Sequence, residues 1–180
     1  VHAFSGYSGR GIYLDQGSSG FLVEDNLVHN ISGPCIRLQK GALCNVIVNN
    51  ICAFGGVAQV CFDTDRANVF EYNIIYWKSG QLFLRSSWLN FDRAHDYNLY
   101  FRADGEPIRF FEWTFEEWQQ QGGVQQSYFK PATMDQHSMI ADPRFVDAEH
   151  GDFRLHPDSP ALQLGFRPID LDAPGLIGTS

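Results

Sequence analysis

Asp15 and Asp63 are the residues of this chain whose type and spacing best fit a definite chemistry. Hydrolysis of a glycosidic bond needs two carboxyls on opposite sides of that bond, about 5 Å apart for retention and about 6.5 to 9.5 Å apart for inversion. Two aspartates in one outward column of a β-solenoid, two coils apart, have backbones separated by about 9.6 Å, twice the strand spacing. That spacing reaches the inverting range. Around them, Tyr13 and Phe83 are expected to offer rings to a pyranose face. Arg37, Gln39 and Arg85 are expected to orient the sugar or hold one carboxyl ionised, with Asp65 as a further acid. The competing expectation for both aspartates is structural: solvated groups, or corner residues bonding nearby backbone amides.

The elements that must position these side chains come from a repeat. Gly11 to Asn26, GIYLDQGSSGFLVEDN, returns as IRLQKGALCNVIVNN, VCFDTDRANVFEYN and LFLRSSWLNFDRAHDYN, each an alternating strand, a polar corner, a second strand and an asparagine. Asn26, Asn50, Asn73 and Asn98 recur at intervals of 24, 23 and 25 residues, the period of one supersecondary unit. The strand positions Ile12, Ile36, Val60 and Leu82 recur with them, followed two places on by Leu14, Leu38, Phe62 and Leu84. Alternation makes these the inward columns and turns Tyr13, Arg37, Cys61 and Phe83, with Asp15, Gln39, Asp63 and Arg85, to the outside. No helical stretch lies in the coils, and glycines stand at the corners. The pattern therefore predicts an all-β chain, a right-handed parallel β-helix of about 24-residue coils over residues 1–103. The asparagines are expected to form an internal amide ladder, to occupy a left-handed corner conformation, or both.

From Asp104 the period breaks, and residues 104–180 read as the end of the same domain. TFEEWQQQG, Thr114 to Gly122, predicts a helix with Thr114 as N-cap and Glu117 completing a capping box. Trp113, Phe115 and Trp118 give it an apolar side. An excursion from Gly123 follows, then an extended, proline-punctuated wrap in which Phe153 and Leu155 alternate like a last strand. The start, VHAFSGYSGR, resembles the tail of an earlier coil. The expectation is a C-terminal portion of a longer protein whose apolar N-terminal end, around Val1 and Phe4, self-associates.

Composition narrows the partners. The net charge of -8 argues against nucleic acid, whose binding needs basic groups opposite phosphates. No run of 18 apolar residues is present, so no membrane-spanning helix is expected. Aromatic residues make up 14% of the chain and charged ones 19%, which suits stacked rings inside a solenoid. Cys35, Cys44, Cys52 and Cys61 form no CxxC pair and are expected to be free thiols, with a Cys35–Cys61 contact as the alternative. His29 and His95 lack a second imidazole at ligand spacing, so no metal and no cofactor is expected. Glu24 and Asp25 read as corner charges, Glu116 and Glu117 as helix-end charges. Trp77, Trp88 and Trp113 read as packing residues.

The segments GIYLDQGSSGFLVEDNLVHN, NIIYW, DYNLYF, TFEEWQQQG with DQHSMIADPRFVD, and GDFRLHPDSPALQLGF resemble the C-terminal portion of bacterial parallel β-helix carbohydrate-active proteins. The nearest resemblance is to glycoside hydrolase family 141, which includes α-L-fucosidases and xylanases. The resemblance implies a poly- or oligosaccharide substrate, a secreted or periplasmic location and a catalytic aspartate pair, with Asp15 carried over. His137, in the DQHS segment that carries the resemblance, is a candidate to reach the groove from the excursion loop. Two other classes stay open: a polysaccharide lyase, which would need acids converging on a cation beside a basic residue, and a non-catalytic surface module.

Overall fold

The computed structural model describes residues 9–63, 67–85, 94–121 and 134–171, without the side chains of residues 85 and 121. Expectations placed on Val1, Phe4, Asp65, Trp88 and the 123–133 excursion lie outside the described residues.

Four coils follow one another. The first holds β1 (Ile12–Leu14), β2 (Leu22–Glu24) and β3 (Leu27–Ile31); the second holds β4 (Ile36–Leu38), β5 (Val46–Val48) and β6 (Ile51–Gly55). The third holds β7 (Ala58–Phe62), β8 (Val69–Glu71) and β9 (Ile74–Trp77), and the fourth β10 (Gln81–Arg85), β11 (Ala94–Asp96) and β12 (Leu99–Arg102). Corresponding strands pair in parallel, giving a first sheet β1-β4-β7-β10, a second β2-β5-β8-β11 and a third β3-β6-β9-β12. The third is extended by β13 (Met139–Ile140). The fold is an all-β parallel solenoid. Its core is filled by stacked inward residues: Ile36, Leu38, Ile47, Val60, Phe62, Phe70 and Ile75 are all at most 1% exposed.

The register of the first three coils is the expected one: Ile12 pairs with Ile36 and Ile36 with Val60, and Leu14, Leu38 and Phe62 align beside them. In the fourth coil it differs by one residue. Phe83, not Leu82, pairs with Val60, and Arg85 pairs with Phe62. The β9–β10 connection keeps the length of the β6–β7 connection, since Ile51 pairs with Ile74 and Ala58 with Gln81; within it Gly80 has a φ of 76°, and a Cβ there would lie within 2.8 Å of the carbonyl oxygens of Gly56 and Val57. A side chain there would meet backbone and a left-handed conformation at once.

The asparagine ladder is continuous. Asn26 Nδ2 donates to Asn50 Oδ1 at 2.9 Å, Asn50 to Asn73 at 3.0 Å, and Asn73 to Asn98 at 3.1 Å. Each amide oxygen also takes the backbone N–H of the asparagine one coil earlier. The left-handed residue is the one before each ladder asparagine: Asp25, Asn49, Tyr72 and Tyr97 have φ of 54–56°. A shorter ladder of Asn45 and Asn68, unrecognised in the sequence, follows the same rule, preceded by Cys44 and Ala67 at φ 55° and 53°. The rings of Tyr72 and Tyr97 stack at 4.9 Å with 9° between planes, which offsets part of the cost, about 1–2 kcal/mol per residue, of the left-handed backbone.

The end of the solenoid is closed by α1 (Phe115–Gln121). Thr114 and Glu117 exchange the two expected capping hydrogen bonds, at 2.8 and 3.2 Å. Trp118 and Phe110 lie against Phe83, with ring centroids 6.0 and 5.9 Å apart. Downstream, β14 (Phe145–Asp147) and β15 (Asp152–Leu155) form an antiparallel hairpin against the third sheet, Phe153 being buried as expected. The wrap is not wholly extended. DSPAL starts a short helix α2 (Pro160–Leu164), with Ser159 as N-cap, Pro160 at its first turn and Gly165 as a left-handed C-cap, the usual terminal asymmetry of helices.

Candidate functional site

The first sheet turns Tyr13, Arg37 and Cys61 outward in one column, with Asp15, Gln39 and Asp63 just beyond the strand ends. Gln39 N donates to Leu14 O, and Asp63 N to Leu38 O, both at 2.8 Å, so the Asp15–Gln39–Asp63 column keeps the strand register. Five of the expected site residues are thereby brought together: Tyr13, Asp15, Arg37, Gln39 and Asp63.

Their environments separate them. Asp15 is exposed and accepts from Gln16 N at 2.7 Å and from the Tyr13 hydroxyl at 3.0 Å. The backbone hydrogen bond, followed by that of Tyr13, holds its carboxyl below the ordinary value. The Tyr13 hydroxyl is pushed up, first by desolvation and then by the Asp15 carboxylate. The Tyr13 ring carries Arg10 4.6 Å from its centroid and Arg37 at 5.8 Å, a cation–π arrangement.

Asp63, unlike the exposed Asp15, is buried. Its side chain is 3% exposed and ion-paired to Arg37, which reaches across one coil with Nε at 2.7 Å and also through a terminal guanidinium nitrogen. Cys61 beside it has its thiol pushed up to about 12 by burial and then by the Asp63 charge, so it is not a nucleophile near neutrality. Between the two aspartates, Gln39 Oε1 is buried without a hydrogen-bond partner among the described residues.

Three further expectations change. Phe83 faces inward, 1% exposed, because of the one-residue register difference. Arg85 pairs in register with Phe62 rather than following Asp63, and its side chain is outside the described residues. His137 sits at the corner between the second and third sheets, its ring stacked on Tyr97 at 4.7 Å and its Nδ1 2.8 Å from Asp96 Oδ2. It does not join the Asp15 column.

That corner holds a carboxyl pair absent from the expectations. Glu71 and Asp96 are aligned on neighbouring strands of the second sheet, about 4.8 Å apart along the backbone. Asp96 is buried and accepts from Tyr97 N, His137 N and His137 Nδ1. The Glu71 carboxyl is raised above its ordinary value by burial and then by the Asp96 charge. The signal was in the sequence as EYN and DYN, an acid two places before successive ladder asparagines.

Arg167 spans from the C-terminal segment to Glu24 and Asp25, and its backbone N–H and C=O both bond Asn49. Cys35, Cys52 and Cys61 are buried free thiols, while Cys44 is exposed. Cys35 lies beside Cys52, not Cys61, and that contact with burial raises the Cys52 thiol. Among the described residues no three His, Cys, Asp or Glu side chains converge as a cation site requires. No helix among them is long and apolar enough to cross a membrane.

The fold and this face define a parallel β-solenoid with a polar outer column. The chain is similar to a protein of Bacillus subtilis (strain 168) described as Uncharacterized protein YwoF, at 34% identity over 80% of this chain and 32% of the relative. It thus spans about a third of that relative's length. No protein-family model and no solved structure matches the chain.

Proposed function

We propose that the chain is part of a carbohydrate-active solenoid protein, a glycoside hydrolase of the kind family 141 exemplifies, holding a poly- or oligosaccharide along the outer face of its first sheet. Asp15 carries this reading: an exposed carboxylate held ionised by two donors, on the face where the Arg37 guanidinium lies over the Tyr13 ring. Such a surface alternates acceptors and donors as sugar hydroxyls require. An ionised carboxylate suits the base or nucleophile rather than the acid. Asp63, held by Arg37, positions Arg37 and leaves the acid's role to another carboxyl.

A second reading places the reaction at Glu71 and Asp96. It is favoured by their alignment on neighbouring strands, whose backbones lie about 5 Å apart, and by the raised carboxyl of Glu71, since acid and base must be held apart in pKa.

The test uses the full-length protein on a polysaccharide panel, measuring released reducing ends and ultraviolet absorbance. The first reading expects Asp15→Asn to lower turnover by about 10²–10⁴-fold with Glu71→Gln near the parent rate. The reverse pattern moves the chemistry to the second sheet. An unsaturated, absorbing product makes the protein a lyase, and saccharide binding without any product makes this face a binding surface alone.

A further inference from the structure

Beyond β12 the chain still supplies strand positions to two of its three sheets. β13 extends the third, and Met134 bridges His95 to extend the second. Among the described residues the first sheet receives nothing: β10 pairs there with β7 on one side only. Gln81 N donates to Val57 O at 3.0 Å, so the N–H and C=O groups of 81, 83 and 85 face β7. Those of Leu82 and Leu84 face the open edge.

A cleft of about 500 Å³ lies along that edge, bounded by Gly80 to Leu84 and, across from them, by Arg109, Phe111 and Glu112. Side chains alternate across a strand, so five consecutive residues can line one cleft only if it runs along the strand's edge. With about 3.3 Å of rise per residue, about 4.8 Å between strands and about 10 Å between packed layers, a volume of this size holds about three strand residues. Trp77 also lines the cleft. It is 1% exposed, and its Nε1 has no acceptor among the described residues. Arg109 is exposed and forms no ion pair among the described residues, whereas Arg102 is held by Asp104 at 2.8 and 2.9 Å.

We propose that this vacant strand position is a docking site for an extended segment of a partner protein, about three residues long, carrying an acidic side chain. The segment pairs with the open groups of Leu82 and Leu84, as peptides added to sheet edges do. Its carboxylate meets Arg109. A second copy of this chain is not the occupant, because Phe110, Trp118 and α1 already lie over the core end where a whole coil would have to stack.

The probe is a pooled library of acetylated, amidated pentapeptides with central Glu and β-branched neighbours, added to the full chain while amide exchange is followed by nuclear magnetic resonance. Exchange of the Leu82 and Leu84 amides is expected to slow about tenfold or more, saturably. Backbone N-methylation of the peptides is expected to abolish the effect, and Arg109→Ala to weaken it about tenfold. Because Arg109 is on the surface, that variant should leave exchange at Asn73 unchanged. Overturning results are protection of Leu82 and Leu84 before any peptide is added, no protection at millimolar peptide, equal protection by N-methylated peptides, or protection by xylo- or fuco-oligosaccharides instead.

Discussion

Asp135 and Asp15 are two carboxylates built from similar parts, each accepting from a tyrosine hydroxyl and each held below its ordinary pKa. Asp135 is fully buried under α1 and accepts from five side chains: His95 Nδ1 at 2.8 Å, Trp118 Nε1 at 2.6 Å, Tyr100 OH at 3.0 Å, Asn98 Nδ2 at 3.3 Å and Ser138 Oγ. Asp15 is exposed and takes two donors. The difference lies in spare capacity. Every oxygen lone pair of Asp135 is used to end the asparagine ladder and tie the closing segment to it, whereas Asp15 keeps lone pairs free for a ligand.

The largest effect should follow from breaking the buried end. Burial opposes the Asp135 charge, but the attraction of His95 and the hydrogen bonds of His95, Ser138 and Trp118 outweigh it, so its folded pKa lies below the unfolded one. The group therefore contributes stability above its unfolded pKa, and that stability is lost as pH falls through the folded value. Asp135→Ala strands several buried donors and should cost about 3–5 kcal/mol at neutral pH, measured by urea unfolding. Its acid-unfolding limb should be shallower than the parent's. A cost near that of a surface substitution would show that the junction does not carry the cap.

Next in size is the ladder, where position sets the magnitude. Asn73→Ala leaves the Asn50 N–H and part of its amide without an acceptor in a buried setting, and should cost about 2–3 kcal/mol. Asn26→Ala, at the half-exposed first coil, removes donations to Glu24 O and Asn50 Oδ1 but strands no buried donor. It should cost about 1 kcal/mol or less. Equal costs would mean that the ladder asparagines act singly.

This gradient bears on what the sequence alone could reveal. The period of Asn26, Asn50, Asn73 and Asn98 located the ladder, because a buried amide at a fixed interval leaves few other ways to satisfy itself. The capping box at Thr114 and Glu117 was legible for the same reason: two residues and one spacing specify it. The register of β10 was not legible, since QLFL is apolar at adjacent positions and either alignment puts a large residue inside. That ambiguity misplaced Phe83 and Arg85 in the candidate site. Asp135 was invisible as well, because its partners come from His95, Asn98, Tyr100, Trp118 and Ser138, scattered over 44 positions. Burial of Asp63 under Arg37 joins two coils, and alternation says which side of a strand a residue takes but not whether a neighbour covers it.

A smaller effect separates the two aspartates of the outer column. Arg37→Gln leaves the Asp63 carboxylate nearly buried without its cation, and should cost about 1–3 kcal/mol. The double variant with Asp63→Asn should recover part of that loss, a coupling measurable as a double-mutant cycle. Additive costs would show that the ion pair contributes little and that Asp63 is free for chemistry after all.

Smallest in stability is Asp15→Asn. Its two hydrogen bonds lie at the surface, where water replaces either one, and asparagine retains an oxygen for Gln16 N and the Tyr13 hydroxyl. The change in unfolding free energy should stay within about 0.5 kcal/mol. The Tyr13 titration should move down in the variant, because the Asp15 carboxylate is one of the groups holding it up, and an ultraviolet pH titration reads this directly. A variant that folds like the parent, titrates differently at Tyr13 and has lost turnover in the full-length protein would separate the outer column from Asp135 by function as well as by burial. A stability loss comparable to that of Asp135→Ala would make Asp15 another structural carboxylate and withdraw the first sheet as the site of reaction.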